Sequence, residues 1–349
     1  MKTLQSLDHQ IYIGDESLDK LKELIKKYDS EQIVVIADEN TRRDCLPLLP
    51  VEIAEKIIVI PVGEEHKNIF TATEVWKQLM QYKINRNGLI INIGGGVVGD
   101  LGGFCASTWK RSVDFIQIPT SLLAMVDASC GGKTGVNLDG IKNQIGTFNT
   151  PQAVVIAPCF LKTLPQREFL SGVAEMVKHA IIAEDKSLFQ QLSAIETPTV
   201  ENIAPLIEPA IAIKNNIVLQ DPHEKNLRKI LNFGHTIGHA IETWSHSSPT
   251  PLLHGEAVAL GMKYEIQFAQ EKQFISPTTA TCYLNFIQKF FGHITTELLP
   301  PQTLFNIMQH DKKNVSDAIS FVLPLEDGKF ALNVEATVVD LVKSSIFAV

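Results

Sequence analysis

Short aliphatic runs separated by amphipathic stretches set the pattern of the first 160 residues. Ile33–Ala37, Ile57–Pro61, Leu89–Ile93, Phe115–Ile118 and Ala153–Ala157 each suit one buried strand and are too short for a helix. Leu18–Tyr28 and Thr71–Tyr82 lie between them with apolar residues at helical spacing. Strand and helix in alternation predict a parallel sheet with helices on its faces, an α/β domain over residues 1–160. Beyond about Pro165 the pattern changes. Pro165–Ala183, Glu201–Leu219, Lys229–Trp244, Glu256–Lys272 and Pro277–Phe291 carry helical periodicity, and only Ile319–Leu323 with Lys329–Leu332 suggest a hairpin, around Glu326-Asp327-Gly328. A mainly α-helical second domain is therefore predicted over residues 161–349.

Length and composition agree with two cores. At 349 residues, 45% of them hydrophobic, the chain exceeds one typical domain, and a cleft between two domains is the expected place for a ligand. A net charge of −8 gives no reason to expect nucleic acid or an anionic membrane as partner. Cys45, Cys105, Cys130, Cys159 and Cys282 are scattered without a Cys-x-x-Cys pair, as expected of reduced thiols in a cytoplasmic protein. Met1–Gln10 contains no apolar signal core, and no run approaches a membrane span.

Three segments carry candidate chemistry. Ile230–Glu242, followed by Leu252–Glu256, contains three histidines. His235 and His239 are four apart, so on a helix they share one face, and His254 is a candidate third ligand for a divalent metal. Gly234 and Gly238 leave room beside the imidazoles for a ligand or another backbone; the competing reading is a set of core histidines satisfied by hydrogen bonds. In the second segment, Leu89–Phe104, an Ile-rich strand runs into Gly94, Gly95, Gly96 and Gly99. A tight turn opening a helix in this way offers backbone N–H groups and a positive dipole end to a pyrophosphate, although the spacing is not Gly-x-Gly-x-x-Gly. The third, Ile118–Gly146, places Lys133, Lys142 and Asn143 among glycines in a nearly uncharged stretch, a composition suited to phosphate oxygens. Farther on, Glu175, Lys178 and His179 group opposite the apolar face of their helix. They read either as a solvated face with an i,i+3 ion pair or, through Glu175, as a carboxylate available to the metal.

Taken together these residues resemble the 3-dehydroquinate synthase family. The likeness runs from about Asp38 to Leu323 and rests on Pro61–Lys67, Gly94–Phe104, Ile118–Asn143, Phe160–Pro165, Gly172–Lys178, Leu231–Glu242, Leu253–Glu256 and Asp311–Lys313, in the family's order. It departs at Asn226, where a glycine is common, and at Thr236 and Ile237, none of which removes a catalytic group.

What the resemblance implies is a Rossmann-like NAD-binding domain followed by a helical metal- and substrate-binding domain, in a homodimer carrying zinc, or cobalt in its place. It assigns the metal to Glu175, His235 and His254, overruling direct chelation by the His235/His239 pair, and makes His239 a substrate or proton-relay residue. NAD contacts map to Asp38, Glu64, Lys67, Gly95, Gly96, Val97, Asp100, Thr120, Ser121, Lys133, Lys142, Phe160, Leu161, Lys162 and Thr163. The implied substrate is a seven-carbon sugar-acid phosphate, its phosphate held by Lys133, Asn143, Arg111 and Lys312 or Lys313, its carboxylate by Lys214 and Arg228. Lys142, Lys178 and Asn232 line the same cleft, and Asp127 with His239 orients groups or handles protons. The implied chemistry is transient oxidation, β-elimination of phosphate, re-reduction, ring opening and aldol closure. Two enzyme alternatives share much of this logic: a sister cyclase such as 2-deoxy-scyllo-inosose synthase, and a metal-dependent polyol dehydrogenase. A third, a non-catalytic nucleotide-binding protein, would leave the metal and lysine clusters idle.

Overall fold

A computed structural model describes residues 1–49, 55–139, 141–294, 301–309 and 318–344. The chain divides into two compact units, Met1–Phe169 and Leu170–Val349.

The first unit is built on a seven-stranded sheet. Its strands are β1 (Lys2–Ser6), β2 (His9–Ile13), β3 (Ile33–Asp38), β4 (Lys56–Ile60), β5 (Leu89–Gly94), β6 (Asp114–Pro119) and β9 (Ala153–Ile156), in the order β1-β2-β9-β6-β5-β3-β4. All neighbours are parallel except β1 with β2. Every residue of β5 and β9 is buried, which requires cover on both faces and explains their unbroken aliphatic character. Helices α1 (Ser17–Ile25), α2 (Glu39–Asp44), α3 (Ile69–Gln81) and α4 (Gly96–Thr108) connect the strands. Ile36, Ile58, Leu79, Leu101 and Phe115 belong to the core beneath them. From β3 the chain moves outward to β4, then returns on the other side of β3 to form β5, so strand order reverses between β3 and β5. Open parallel sheets bind ligands outside the carboxyl ends of the strands at such a reversal. Asp38 and Gly94–Gly96 occupy those ends.

Two hairpins of this unit lie outside the alternating aliphatic pattern. One is β1–β2, joined by Leu7-Asp8; the other pairs β7 (Lys133–Leu138) with β8 (Ile141–Phe148).

The second unit is largely helical, with α6 (Ser187–Ser193), α7 (Val200–Ile203), α8 (Ile207–Gln220), α9 (His235–Ser245), α10 (His254–Glu271), α11 (Pro277–Phe291), α12 (Pro301–Gln309) and α13 (Val338–Lys343). Its first helix, α5 (Gln166–Ile182), begins just before the division, and everything from Ser171 to Ala183 is buried. The segment expected as a single helix over Glu201–Leu219 is interrupted by a 3₁₀ turn at Ala204–Leu206, where Pro205 cannot supply a backbone N–H. Lys229–Trp244 is likewise two elements, a 3₁₀ turn over Leu227–Asn232 and then α9, separated by Gly234 at φ +78°. The late hairpin forms as β10 (Ile319–Pro324) with β11 (Phe330–Ala336), turning at Gly328. Phe321 packs against Phe268 of α10 at 5.5 Å between ring centres.

Candidate active site

In the second unit, three helices meet around a carboxylate. α9 and α10 cross so closely that a Cβ built on Gly261 would lie 1.9 Å from the Gly234 carbonyl oxygen. At Gly255 it would lie 2.0 Å from the Ser171 oxygen of α5, and the Gly255 N–H donates to Ser171 Oγ at 2.9 Å. The room that Gly234 and Gly238 leave is thus filled by the α10 backbone. These contacts bring Glu175 of α5, His235 and His239 of α9, and His254 of α10 together.

Glu175 is fully buried, as are Lys178 and His179 on the following turn, at 1% exposure or less. The solvated-face reading of this trio is therefore corrected: from Ser171 onward α5 is buried on every side. The two Glu175 oxygens serve different partners. Oε2 pairs with Lys178 and lies 4.0 Å from His179 Nε2; Oε1 lies 3.5 Å from His235 Nε2 and 3.7 Å from His254 Nε2. Each of those histidines has its other nitrogen engaged by a pure acceptor. His235 Nδ1 donates to the Phe233 carbonyl at 3.1 Å and His254 Nδ1 to Glu242 Oε2 at 3.3 Å. A hydrogen is thereby fixed on each Nδ1, and Nε2, turned toward Glu175, is the nitrogen each ring can offer to a metal once it is deprotonated. Donors bound about 2.0–2.2 Å from a tetrahedral zinc stand about 3.3–3.6 Å apart, and the two distances from Glu175 Oε1 are close to that spacing. His239 joins from the same helix face: its ring centre lies 5.1 Å from that of His235, and His235, His239 and His254 can also bring one nitrogen each within 4.8 Å of one another. Burial disfavours charge on His254, but Glu175 and Glu242 outweigh it and push its pKa up to about 9, so a proton and a cation compete for the same nitrogen.

Glu265 of α10, fully buried, was given no role by sequence reasoning. Its two oxygens accept from Gly234 N–H at 2.6 Å and Ile237 N–H at 3.3 Å, capping α9 where Gly234 has no side chain to do so. Glu242 also lacked an assigned role. Neither pairing has a local sequence signal, because each partner lies 12 or more residues away.

Elsewhere in this unit, Lys214 on α8 and Arg228 on the 3₁₀ turn are 6% and 2% exposed, a pair of cations held in an interior. The Arg228 guanidinium donates to the Pro222 carbonyl at 2.6 Å. Asn232 Nδ2 donates to Glu224 Oε1 at 2.8 Å. Asp311, Lys312 and Lys313 lie outside the described residues.

In the first unit, α4 begins at Gly96 with Gly95 as an uncapped N-terminal residue. A Cβ at Gly96 would meet nothing nearer than Ala128 at 3.8 Å, and one at Gly95 nothing nearer than Ser121 Oγ at 3.4 Å. The protein's own packing does not demand these two glycines, and the helix N-terminus they leave open fits a pyrophosphate. Val97 is in the same turn, and Asp100 one turn on pairs with Lys67 at 3.0 Å; Lys67 in turn lies 3.2 Å from Glu64. Lys67 is 4% exposed, and although burial pushes its pKa down, Asp100 and Glu64 hold it above the usual lysine value. Thr120, which donates its N–H to Gly94, and Ser121 follow β6. Asp38 caps α2 through Oδ1, which accepts from the Thr41 N–H at 2.7 Å. Phe160 and Leu161 are core side chains at 1% exposure, leaving Lys162 and Thr163 as the exposed members of their 3₁₀ helix. Asp127 is half-buried on a single π turn, Ala124–Ala128.

The expected phosphate residues of this unit sit on or beside the β7–β8 hairpin. Lys133 and Asn143 are exposed and Lys142 half-buried. Arg111 follows α4 in a run of three left-handed residues, Lys110, Arg111 and Ser112, with φ of 48°, 73° and 97°. Asn149 secures this strained loop by donating to Ser112 Oγ at 3.1 Å and Ser107 Oγ at 3.0 Å.

Comparison with known proteins agrees across both units. Residues 57–171 match the family model described as 3-dehydroquinate synthase N-terminal, and residues 172–314 the C-terminal one. The 3-dehydroquinate synthase of Parabacteroides distasonis is 34% identical over 344 residues, covering 97% of this chain and 98% of the relative. That of Alkaliphilus metalliredigens is 39% identical, covering 93% and 92%. Among solved structures, 2-deoxy-scyllo-inosose synthase complexed with carbaglucose-6-phosphate, NAD⁺ and Co²⁺ superposes with a TM-score of 0.86 over 98% of this chain and 99% of that one. At 24% sequence identity that likeness concerns the fold.

Proposed function

Because this chain belongs to the 3-dehydroquinate synthase family, we propose that it converts 3-deoxy-D-arabino-heptulosonate 7-phosphate into 3-dehydroquinate and inorganic phosphate, using NAD⁺ and one zinc or cobalt ion. The observation that carries this reading is the carboxylate-centred trio: Glu175 Oε1 faces two imidazole nitrogens at 3.5 and 3.7 Å, and the Nδ1 of each ring is engaged by an acceptor, which leaves Nε2 as the nitrogen for a metal. Glu175, His235 and His254 would hold the ion, which when bound supplies a Lewis acid for neighbouring substrate oxygens. Gly95, Gly96 and Val97 would receive the dinucleotide pyrophosphate, and NAD⁺ when bound supplies a hydride acceptor that is regenerated within the turnover.

The remaining residues bind and steer. Lys133, Lys142, Asn143 and Arg111 hold the phosphate, neutralising the charge it carries off as the C–O bond breaks, and aim one of its oxygens at the adjacent C–H. Lys214 and Arg228 are buried cations suited to a substrate carboxylate, which favours this substrate over the phosphorylated sugars of sister cyclases that lack one. Asn232 fixes a hydroxyl, His239 exchanges a proton through its imidazole, and Asp127 orients a neighbouring group. Lys178 holds the second oxygen of Glu175 and so directs the first toward the histidines. We place the enzyme in the cytoplasm as a homodimer; among the described residues no helix is long and apolar enough to cross a membrane.

The test is to supply the heptulosonate phosphate with catalytic NAD⁺ and zinc and to follow phosphate and NADH together. Phosphate release without net NADH is expected. No phosphate, or NADH accumulating in step with substrate, would replace this reading with that of a polyol dehydrogenase or a non-catalytic protein.

A further inference from the structure

The pairing of β7 with β8 slips at one point. Val136 pairs with Ile145 and Leu138 with Ile141, so Asn137 alone on β7 faces Lys142, Asn143 and Gln144 on β8. Such a bulge re-aims side chains and frees backbone groups from the ladder. Asn137 uses that freedom in three directions. Its own N–H donates to the Lys67 carbonyl at 2.8 Å, part of an isolated parallel bridge with Asn68. Its Nδ2 donates to Glu64 Oε1 at 2.9 Å, and its Oδ1 accepts the Asn143 N–H at 2.9 Å. Asn143 is held at φ +52°, a left-handed conformation that this hydrogen bond helps to fix. Glu64 Oε1 also meets Lys67 Nζ, which reaches Asp100 on α4. A polar chain thus runs from Asp100, one turn beyond the α4 N-terminus where a pyrophosphate would sit, through Lys67, Glu64 and Asn137 to the segment carrying Lys142 and Asn143.

We propose that Asn137 is a positioning residue that couples the dinucleotide subsite to the phosphate-binding bulge, so that occupation of either tightens the other. This rests on the functional reading given above for the first unit. Asparagine is the side chain the position requires: one planar amide must donate to a carboxylate and accept from an N–H at the same time. Aspartate could not donate to Glu64 and would place a second carboxylate beside it. Alanine would leave Glu64 with Lys67 but cut the link to Asn143. When a dinucleotide settles on α4, Asp100 and Lys67 are fixed, Glu64 follows, and the Asn137 amide holds Asn143 and Lys142 in the geometry that a phosphate meets. The coupling is reciprocal by linkage, so phosphate must tighten the dinucleotide by the same factor.

The measurement is isothermal titration of NAD⁺ into the full-length protein with and without saturating inorganic phosphate, and of phosphate with and without NAD⁺. In the unaltered protein each ligand should tighten the other by one factor, within the roughly 5–150-fold range of such couplings. In Asn137→Ala both ligands should still bind alone while the ratio falls toward one. Asn137→Ser, whose shorter side chain cannot reach Glu64 and the Asn143 N–H together, guards against a folding defect and should lose the ratio likewise. A ratio near one in the unaltered protein, or an undiminished ratio in the variants, overturns the coupling alone. Absence of NAD⁺ binding to the unaltered protein overturns the functional reading and the coupling with it.

Discussion

A methyl group added at Gly96 would find nothing nearer than Ala128 at 3.8 Å, whereas one added at Gly255 would stand 2.0 Å from the Ser171 carbonyl oxygen. The protein's own packing leaves the first glycine open and closes on the second. The same contrast runs through both regions. In the first unit the candidate site is made of backbone N–H groups and of polar side chains on an exposed hairpin. In the second, a buried carboxylate and half-buried histidines are set by helices in contact down to the backbone. An open site tolerates substitution in the apoprotein and fails in binding, while a packed one fails in folding before binding can be asked about.

Exchanging the two glycines for alanine tests that contrast most strongly. Gly255→Ala should cost about 3 kcal/mol or more, since backbone rather than a flexible side chain must move. Gly96→Ala should stay within about 1 kcal/mol of the parent in urea unfolding, because alanine suits a helix better than glycine, yet bind NAD⁺ about tenfold more weakly, one lost close approach. Similar unfolding curves for the two would erase the distinction. Next in size is Glu242→Ala, which leaves His254 Nδ1 without its acceptor and should lower metal affinity about 10–100-fold in a chelator competition; an unchanged affinity would show that the tautomer is set by something else. Glu265→Gln keeps one acceptor for the two N–H groups at the start of α9 and should cost about 1–2 kcal/mol by denaturant titration.

The smallest effect belongs to the open region. Burial raises the pKa of Glu64, but Lys67, Lys142 and Asn137 more than reverse this and hold it below 4.5. With a depressed native value, the carboxylate's contribution to stability is complete above pH 4.5 and is lost as pH falls through the lower native pKa. Lys67→Met should therefore flatten the acid limb of the stability profile, modestly, because the Glu64 side chain is 36% exposed and salt screens it. A limb of unchanged steepness would place the acid sensitivity elsewhere.

Much of this was legible in the chain. The aliphatic runs from Ile33 to Ala157 locate the central strands because strands buried on both faces leave no polar alternation to confuse them. Hairpins were harder. β8 alternates exposed and half-buried residues and includes lysine, asparagine and glycine, so apolar content conceals it, although Asp139-Gly140 is a turn signal between two strand-compatible runs. The helix over Lys229–Trp244 was read across Gly234 because periodicity does not record the sign of φ. At the candidate site, histidine spacing makes the α9 face readable, and family resemblance adds Glu175. The burial of Lys178 and His179 could not be read locally, since a helix enclosed on all sides keeps its charged residues only where other elements supply partners. Glu242, Glu265 and Asn137 share one obstacle: each acts on residues far along the chain or in a bulge that no periodicity announces.

The glycine-backed crossing of α9 with α10, and of α10 with α5, has a consequence for selectivity. At the proposed metal site, donor spacing would be set by main-chain contact between helices rather than by side-chain adjustment. A larger, oxygen-seeking cation such as Ca²⁺, which asks for six to eight donors at longer reach, would have to prise helices apart rather than swing a side chain. Discrimination against it is then a property of main-chain contact, maintained by residues that never touch the ion.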